Sequence, residues 1–489
     1  MSPDRRVPLW LVLLATSLPM FMATLDNLVI TNALPVMAVD LGATIEELQW
    51  FLNAFTLAFA TFILPAAALG DRVGRRTVFV AGIAVFSAAS VLTALSTEPW
   101  MVIGARAVQG LGAAAIMPLS LTLLAGAVSA RLRPAAIGIW GGVSGLGVAL
   151  GPLIGGLIIE GWNWQSIFWV NVPIGILAIP LALAVLQDSR GEPRPLDLPG
   201  VSMAGLGVLG VVYGIVRGNE AGWTSAEVLA SLGAGAVLLL AFIVWERRTA
   251  APVLPLSLFR DRSFSVANVV GLTFSFGMFG SIFLLVQFLQ VVQGHSPLEA
   301  GLMTTPWTMA PMVVAPIAGF IAPRVGTRAL MVAGLGAQSV ALFWLAGILS
   351  ADVTFATLVP PFVLAGVGMG LVFAPMATAV LARMPERHHA KASGTNSTMR
   401  EVGGALGIAV LTVVFTSAGG ELTPAGYVDA AIPAIATGGA VLAAAFALAF
   451  LLPAGRSDLE DPVAALEQPE AAEAGPSGLP IPVGAGATA

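Results

Sequence analysis

The chain has 489 residues, of which 57% are hydrophobic and only 10% are charged. Because about 25% of the residues in a water-soluble domain are charged, this composition excludes a water-soluble fold and indicates a membrane protein. The formal net charge is −5 and cysteine is absent, which excludes a disulfide framework, a thiol nucleophile and a thiolate metal site.

Fourteen apolar segments follow one another along the chain, each long enough to cross a bilayer as a helix of about 20 residues. The predicted spans are 9–36, 48–69, 77–96, 100–125, 134–159, 166–186, 198–216, 226–245, 265–289, 300–321, 329–349, 354–378, 392–416 and 430–452. Their apolar runs are continuous, whereas the strands of a membrane β-barrel alternate. Arg5 and Arg6 before the first segment resemble a secretory signal, but the many similar segments that follow favour a first membrane helix.

The basic residues orient the spans, because Lys and Arg accumulate in cytoplasmic loops. With the N-terminus inside, 19 of the 22 basic residues fall in inside segments, and only Arg106, Arg217 and Arg400 lie elsewhere. An odd number of spans would invert the later loops and destroy this asymmetry. We therefore expect fourteen spans with both termini cytoplasmic, and twelve spans as the alternative.

Two segments repeat at matching places in this topology. The segment 70–76 follows span two and the segment 322–328 follows span ten, at an offset of 324 − 72 = 252 residues. A second match joins Gly138 of span five to Gly394 of span thirteen, at 394 − 138 = 256. Both offsets pair spans that are eight apart, which predicts two parallel six-helix bundles around a midplane cavity, separated by two inserted helices. The predicted divisions are an N-terminal bundle (1–188), the inserted helices with their loops (189–262), a C-terminal bundle (263–453) and a disordered cytoplasmic tail (454–489).

Five motifs occur in order along the N-terminal half: Leu25 to Pro35, Ala67 to Arg76, Arg106 to Gly112, Gly147 to Gly156, and Trp164 to Gly175. Together they resemble the fourteen-helix drug:proton antiporter branch of the major facilitator superfamily, although Ala67 replaces the usual glycine of its loop motif. The resemblance covers nearly the whole chain before the tail. It implies an all-α, 6+2+6 fold in a bacterial inner membrane, with proton-coupled export of drugs, antibiotics or dyes by alternating access, no cofactor and no enzymatic activity.

Four charged residues lie well inside the spans: Asp26, Arg106, Arg400 and Glu401. Each costs about 2.5 to 3.5 kcal/mol at a helix centre, so a charge without a function is rare there. At about 1.5 Å per residue, Asp26 and Arg106 both fall in the outer half of the membrane. The functional hypothesis is that Asp26 takes up and releases a proton as Arg106 approaches and retreats; the alternative is a fixed ion pair.

Arg400 and Glu401 fall in the inner half of span thirteen. The related branch usually has glutamine after this arginine, so Glu401 is a departure that could add a second protonatable site to the proton-coupling set of Asp26 and Arg106. An ordinary polar pair near the inner interface is the alternative interpretation.

Two further motifs predict gates. Gly147, Gly151 and Gly155 recur every four residues in span five, with Pro152 and Gly156 beside them. Small residues at this spacing let another helix approach closely, and the proline kinks its own helix. The resemblance implies that this antiporter motif seals and reopens the outer side, whereas ordinary helix packing is the alternative.

In the loop after span two, Gly74 permits a tight turn. Asp71, Arg72, Arg75 and Arg76 can pair with helix ends or acids, which predicts an inner gate. A plain cytoplasmic anchor would explain the arginines but not the acid.

Polar or aromatic residues in the spans are the candidates for a substrate cavity. They are Asn27, Asn32, Asn53, Phe55, Gln109, Gln287, Trp307 and Asn396. No dense Lys and Arg cluster lines the spans, which argues against a polyanionic cargo and favours a hydrophobic or amphipathic one.

Energy must come from a gradient, because the sequence lacks a phosphate-binding loop. The expected partners are small-molecule cargo, protons and membrane lipids, and neither nucleic acid nor metal is expected. The protein is expected to be a monomer. Multidrug export is the first hypothesis, and a dedicated exporter of a secondary metabolite, siderophore or lipid is the second. A transporter-like sensor or lipid-binding accessory protein would need no titrating acid, so Asp26 and Glu401 argue against it.

Overall fold

The computed structural model describes residues 8–129, 132–190, 197–249, 252, 254–381, 384 and 389–453. Within these ranges the regular structure is entirely helical, with fourteen long helices. They are α1 Leu9–Leu41, α2 Ile45–Val73, α3 Arg75–Ala94, α4 Pro99–Ala127, α5 Arg133–Gly161, α6 Ser166–Val185, α7 Leu198–Ala221, α8 Ala226–Glu246, α9 Arg262–Val292, α10 Pro297–Val325, α11 Thr327–Ile348, α12 Phe355–Leu381, α13 His389–Ser417 and α14 Pro424–Ala449. The predicted tail, 454–489, lies outside the described residues.

Thirteen of these helices are long and apolar enough to cross a membrane, and α5 contributes the apolar stretch Leu150–Gly161 over its described residues. The predicted all-α polytopic fold is therefore confirmed. Several helices run beyond their predicted spans: α1 continues to Leu41, and α14 begins at Pro424. The difference arises because hydropathy marks the hydrocarbon layer, whereas capping residues end the helix. Gly42 ends α1 at φ 61°, and Thr423 accepts a hydrogen bond from the Gly426 N–H at the start of α14.

The internal repeat is visible in the backbone. Gly74 separates α2 from α3 at φ 138°, and Gly326 separates α10 from α11 at φ 91°. Each N–H closes the preceding helix by donating to a carbonyl four residues earlier, at 2.9 Å for Gly70 and 2.8 Å for Ala322. Such positive φ angles favour glycine. These two glycines are related by the 252-residue offset that the sequence predicts.

Helix capping repeats at the same offset. Thr44 and Glu47 form a capping box at the start of α2, and Ser296 and Glu299 form one at the start of α10. In each box the hydroxyl accepts from the glutamate N–H while the glutamate carboxylate accepts from the N–H of the capping residue. The two bundles therefore use the same local signals to begin and end their second helices.

The two halves meet mainly where α5 packs against α10 and where α2 packs against α13. The basic helix ends, which include Arg75, Arg76, Arg247 and Arg262, mark the side that we call inner. On this definition α5 runs from the inner to the outer side, and α10 returns.

The inserted helices lie outside the two bundles, over the seam between α2 and α13. Val212 and Val216 of α7 are buried against Leu57 of α2 and against Ala405 and Ala409 of α13. The principal partner of α8 is α7. The inserted pair therefore bridges both halves through α7, while α8 lies at the periphery.

This placement predicts a specific cross-link between α7 and α2. A Cβ built at Gly205 lies 3.4 Å from the Thr61 Cβ, close to the separation of about 3.5 to 4.5 Å in disulfides. Because the chain has no cysteine, we expect T61C/G205C to oxidise to an intramolecular disulfide. With a protease site placed in residues 191–196, the two fragments should stay joined in a non-reducing gel until reduced.

The matched control is T61C/G207C, because Gly207 faces Leu239 of α8, 2.9 Å from its Cγ. Equal cross-linking of the two pairs, or none in T61C/G205C, would contradict the placement of α7.

Candidate functional site

A buried ion pair lies inside the N-terminal bundle. The Arg106 Nη1 of α4 donates to the Asp26 Oδ2 of α1. The exposed fractions of the two side chains are 0% and 2%, so neither charge is solvated by bulk water. The structure thus brings together the two residues that the sequence placed in one layer.

Asp26 has two further donors. The Gln109 Nε2 and the Asn171 Nδ2 donate to its Oδ1 at 2.9 and 2.7 Å. Both amides also donate to the Ser90 Oγ, which in turn donates to the Phe86 carbonyl at 2.9 Å. The carboxylate is therefore held by side chains from α4 and α6 that share a partner on α3.

Sequence reasoning missed Asn171 and Ser90. Asn171 lies within the motif from Trp164 to Gly175, and an amide inside an apolar span was the available signal. Ser90 gave no comparable signal, because a serine in a membrane helix often bonds only its own backbone.

Arg106 is also anchored by groups other than Asp26. Its Nε donates to the Phe51 carbonyl at 3.1 Å, and its Nη1 donates to the Gln109 Oε1 at 2.9 Å. The Phe55 ring faces the guanidinium at 4.4 Å, which adds a cation–π contact. Its Nη2 lacks a hydrogen-bond partner among the described residues. Phe55 and Gln109, predicted for the substrate cavity, thus belong to the charge network.

The charges of α13 form a different arrangement. The Arg400 guanidinium lies 4.6 Å from the centre of the Phe373 ring, and its Nε has no hydrogen-bond partner in the described part of the chain. Glu401 is half-buried beside it. Asn396, one turn earlier, donates weakly to the Asn268 Oδ1 at 3.4 Å. Among the described residues, this region lacks the multiple donors that surround Asp26.

The glycine stripe of α5 packs on α1. A Cβ at Gly155 would lie 3.1 Å from the Val29 carbonyl oxygen, and Gly147 and Gly151 also approach α1 closely. On the neighbouring face, a Cβ at Gly156 would lie 2.8 Å from the Leu298 nitrogen of α10. The antiporter motif therefore permits close packing against both helices at the outer side.

Asn32 ties these three helices together. Its Nδ2 donates to the Pro152 carbonyl of α5 at 2.7 Å and to the Pro297 carbonyl of α10 at 3.3 Å. The Gln290 Nε2 donates to the Asn32 carbonyl at 3.0 Å. Asn32 thus holds the outer side closed across the interface between the halves.

The predicted inner-gate residues make contacts within their own half. Asp71 accepts from Arg75, whose Nε donates to its Oδ1 at 2.7 Å, and Arg72 is exposed. The Arg76 N–H donates to the Asp188 Oδ1 at 3.0 Å, and a Cβ at Gly74 would lie 2.9 Å from that oxygen. Sequence reasoning missed Asp188, although an acid directly after span six was visible.

The Arg76 side chain also caps the inner end of α6. Its Nη1 donates to the Leu183 and Leu186 carbonyls at 3.2 and 3.1 Å. A cation at a helix C-terminus is favourable because the terminal carbonyls lack partners. These contacts fix the loop after α2 against the end of α6.

A cavity of about 20 Å³ lies between the halves at the outer side. Its lining comprises Leu28, Thr31, Asn32, Pro152, Ile282, Leu285, Val286, Thr304, Trp307, Thr308 and Phe362. Asn32 and Trp307 are the predicted cavity residues that the structure places in this lining. Asn27 is half-buried outside it, and Asn53 and Gln287 are buried elsewhere.

Two buried polar atoms of the residues that line this cavity lack partners among the described residues. They are the Trp307 Nε1 and the Asn32 Oδ1. A buried polar group without a partner costs about 1 to 3 kcal/mol. These two atoms leave one donor and one acceptor unused beside the cavity.

Comparison with known proteins gives a consistent picture. The sequence model of the Major Facilitator Superfamily matches residues 16–408. The chain is 36% identical to Multidrug resistance protein Stp of Mycobacterium tuberculosis (strain CDC 1551 / Oshkosh), covering 83% of this chain and 76% of that protein. It is 32% identical to the Tetracenomycin C resistance and export protein of Streptomyces glaucescens, covering 87% and 79%. It is 37% identical to the Cephamycin export protein CmcT of Amycolatopsis lactamdurans, covering 83% and 84%.

Two solved structures share the fold. The nucleoside transporter NupG aligns with a TM-score of 0.64 at 13% identity, covering 91% of this chain and all of that one. A bacterial homolog of the human lysosomal transporter Spinster, in an inward-facing and unoccupied conformation, aligns with a TM-score of 0.64 at 18% identity, covering 92% and 98%.

We predict that Asn32→Ala loosens the outer closure. Of the two hydrogen bonds that are lost, only the one to the Pro297 carbonyl joins the halves; it contributes about 0.5 to 1.5 kcal/mol, so the outer-open population should rise about twofold to tenfold. A single cysteine at Ile282 reports on the cavity. Its labelling by a membrane-impermeant maleimide from the outer side should accelerate by the same factor.

Asn27→Ala is the matched control, since Asn27 lies on the same helix outside the cavity lining. Unchanged labelling in Asn32→Ala, or equal acceleration in both variants, would show that Asn32 does not hold the closure.

Proposed function

The chain belongs to the major facilitator superfamily, and from this premise we propose that it exports hydrophobic or amphipathic small molecules in exchange for protons. The transport cycle alternates access of a central site between the two sides of the membrane. The observation that carries the proton-coupling part is the buried Asp26–Arg106 pair. The names of the relatives, which are resistance and export proteins, support the direction and the class of cargo.

Protonation of Asp26 would change the energy of the pair by removing the countercharge of a buried guanidinium. Breaking a buried ion pair by removing one partner typically costs about 3 to 5 kcal/mol. A conformation that gives Arg106 water or another acceptor is then favoured. In this way a proton on Asp26 shifts the equilibrium between the two access states.

The neighbours of Asp26 can hold the arginine in place when the acid is neutral. Arg106 keeps the Phe51 carbonyl, the Gln109 Oε1 and the Phe55 ring when Asp26 is neutral. The amide of Asn171 carries both a donor and an acceptor, so after rotation its oxygen can accept from the protonated acid while Gln109 stays in place. The network therefore accommodates both protonation states of Asp26.

The cavity between the halves supports the proposed cargo class. Its lining residues carry no charge, and Trp307 and Phe362 form a tilted aromatic pair with ring centres 5.9 Å apart. A volume of about 20 Å³ holds little more than one water molecule. Cargo must therefore enter when the halves separate, after which apolar walls and orphaned polar atoms are both available to it.

A proton gradient supplies enough energy for such export. An inward proton gains about 2.3 kcal/mol per 100 mV of membrane potential and about 1.4 kcal/mol per pH unit. Because about 1.4 kcal/mol corresponds to a tenfold concentration ratio, one proton can sustain a cargo gradient of about a hundredfold.

We predict that Asp26→Asn uncouples transport from the proton gradient. Proteoliposomes with an acidic lumen should accumulate ethidium through the native protein and not through the variant. Exchange of ethidium at equal pH should persist in the variant, because asparagine resembles the neutral acid and cargo can still drive the conformational cycle.

Asp40→Asn is the matched control: Asp40 lies on the same helix, at its outer end, and accepts from the Trp164 Nε1 at 2.6 Å. It should retain gradient-driven accumulation. Glu401→Gln separates the two candidate acids. Retained coupling in Asp26→Asn together with lost coupling in Glu401→Gln would assign the proton to Glu401 instead.

We also predict that the indole N–H of Trp307 binds oxygen-bearing cargo. Trp307→Phe keeps an aromatic ring but removes a buried donor that has no partner among the described residues. The KM for rhodamine 6G, which carries carbonyl and ether oxygens, should rise about fivefold to tenfold, as expected for one lost hydrogen bond of about 1 to 1.5 kcal/mol. The KM for ethidium, which lacks such acceptors, should change less than the KM for rhodamine 6G.

The exposed Trp344 of α11 supplies the control variant Trp344→Phe, in which the KM for rhodamine 6G and the KM for ethidium should both stay constant. An equal rise for the two dyes in Trp307→Phe would indicate a loss of packing and not of a hydrogen bond.

A further inference from the structure

A pocket opens on the inner side, between the end of α8 and the segment that leads into α9. Its volume is about 550 Å³, and Arg247 and Arg260 lie on its walls together with Glu246. Pro255 and Leu256 contribute apolar surface to the same walls. The pocket is remote from the charge network and from the cavity between the halves.

The depth of this pocket follows from the helix ends around it. α8 ends at Glu246 and α9 begins at Arg262, so the pocket lies where both helices leave the membrane on the basic side. Trp245, which is 36% exposed, donates its indole N–H to the Asp197 Oδ1 at 2.7 Å. Because tryptophan is enriched at membrane interfaces, this residue marks the level of the lipid headgroups.

The charge of the pocket favours an anion. Arg247 and Arg260 are both exposed, and neither side chain has a hydrogen-bond or ion-pair partner in the described ranges. The Glu246 carboxylate is buried and accepts from the Leu254 N–H at 3.3 Å, which fixes the wall of the pocket. Two arginines against one acid leave a net positive pocket, and guanidinium groups match the geometry of phosphate oxygens.

The surroundings distinguish a lipid from a soluble ligand. α8 lies at the periphery, with α7 as its principal partner, and many of its apolar side chains, such as Leu240 and Val237, are exposed. Acyl chains therefore lie directly beside the pocket. A phosphate held by Arg247 and Arg260 can belong to a molecule whose chains lie along α8.

We propose that this pocket binds the headgroup of an anionic phospholipid from the leaflet on the basic side. Arg247 and Arg260 hold the phosphate, and Pro255 and Leu256 contact the glycerol region. The bound lipid joins the peripheral helix α8 to the connection that enters the C-terminal bundle.

The test is native mass spectrometry of the full-length protein in detergent with added dioleoyl phosphatidylglycerol or dioleoyl phosphatidylcholine. The native protein should bind one phosphatidylglycerol saturably, with clear preference over phosphatidylcholine. R247A/R260A should weaken the binding of phosphatidylglycerol about thirtyfold, because each basic residue near an anionic lipid surface contributes about 1 kcal/mol. R247K/R260K, which keeps both charges, should retain much of the preference and shows that the fold tolerates change at these positions.

The matched control is R248A/R262A, which removes the same charge on the same side from two exposed arginines outside the pocket lining. It should leave the binding of phosphatidylglycerol nearly unchanged. Equal losses in the two alanine pairs would overturn the proposal in favour of a diffuse surface charge, and equal binding of the two lipids would also overturn it. Displacement of phosphatidylglycerol by excess inorganic phosphate, with phosphate retained by the protein, would assign the pocket to a soluble phosphate.

Discussion

The buried contact between Asp26 and Arg106 is the constraint on which the N-terminal half depends. Neither charge reaches bulk water, so each must be satisfied by protein groups, and those groups come from α2, α3, α4 and α6 as well as α1. The resulting network fixes the relative positions of five helices through polar bonds at one level. In a bilayer these polar bonds position the helices more strongly than apolar contacts do. Lipid chains can replace an apolar contact between helices, but they cannot replace a hydrogen bond. A change in the charge of Asp26 therefore alters hydrogen bonds that connect five of the six helices of this bundle.

The two halves share their folding signals but not their chemistry. The positive-φ glycines and the capping boxes recur at the 252-residue offset, so both bundles begin and end their second helices alike. At the same offset Asp26 corresponds to Met278, and at the 256-residue offset Arg106 corresponds to Phe362. Both replacements are buried and apolar, and Phe362 lines the cavity between the halves. The C-terminal half thus presents buried apolar side chains at the positions where the N-terminal half holds its charge pair.

The sequence predicts most of this fold because each span must satisfy its backbone internally and carries its own hydropathy signal. Charge placement predicts an orientation in the membrane, and the repeat predicts the 6+2+6 division. The sites are less predictable. Asp26 and Arg106 stand out in the sequence because a charge in a span is costly. Ser90 and Asn171 carry no charge, and only the packing of the helices places them in the network around Asp26. Phe55 and Gln109 show the same limit: the sequence marks them as polar or aromatic in a span, but only the helix rotation decides that they contact Arg106 and do not line the cavity.

The described contacts differ between the outer and the inner side of the molecule. At the outer side, Asn32 and Gly156 join the halves directly, and the close approach of α5 to α10 leaves no room for a side chain at Gly156. At the inner side, the loop after α2 bonds to Asp188, at the end of α6 in its own half. Among the described contacts, those of the inner loop therefore stay within one half, whereas the outer contacts join the two halves. Gly74 lies against Asp188, so a side chain there would displace the loop from α6 without touching the outer seam. The same helix α6 carries Asn171 of the Asp26 network near its outer end, so one helix contacts both the buried ion pair and the loop after α2.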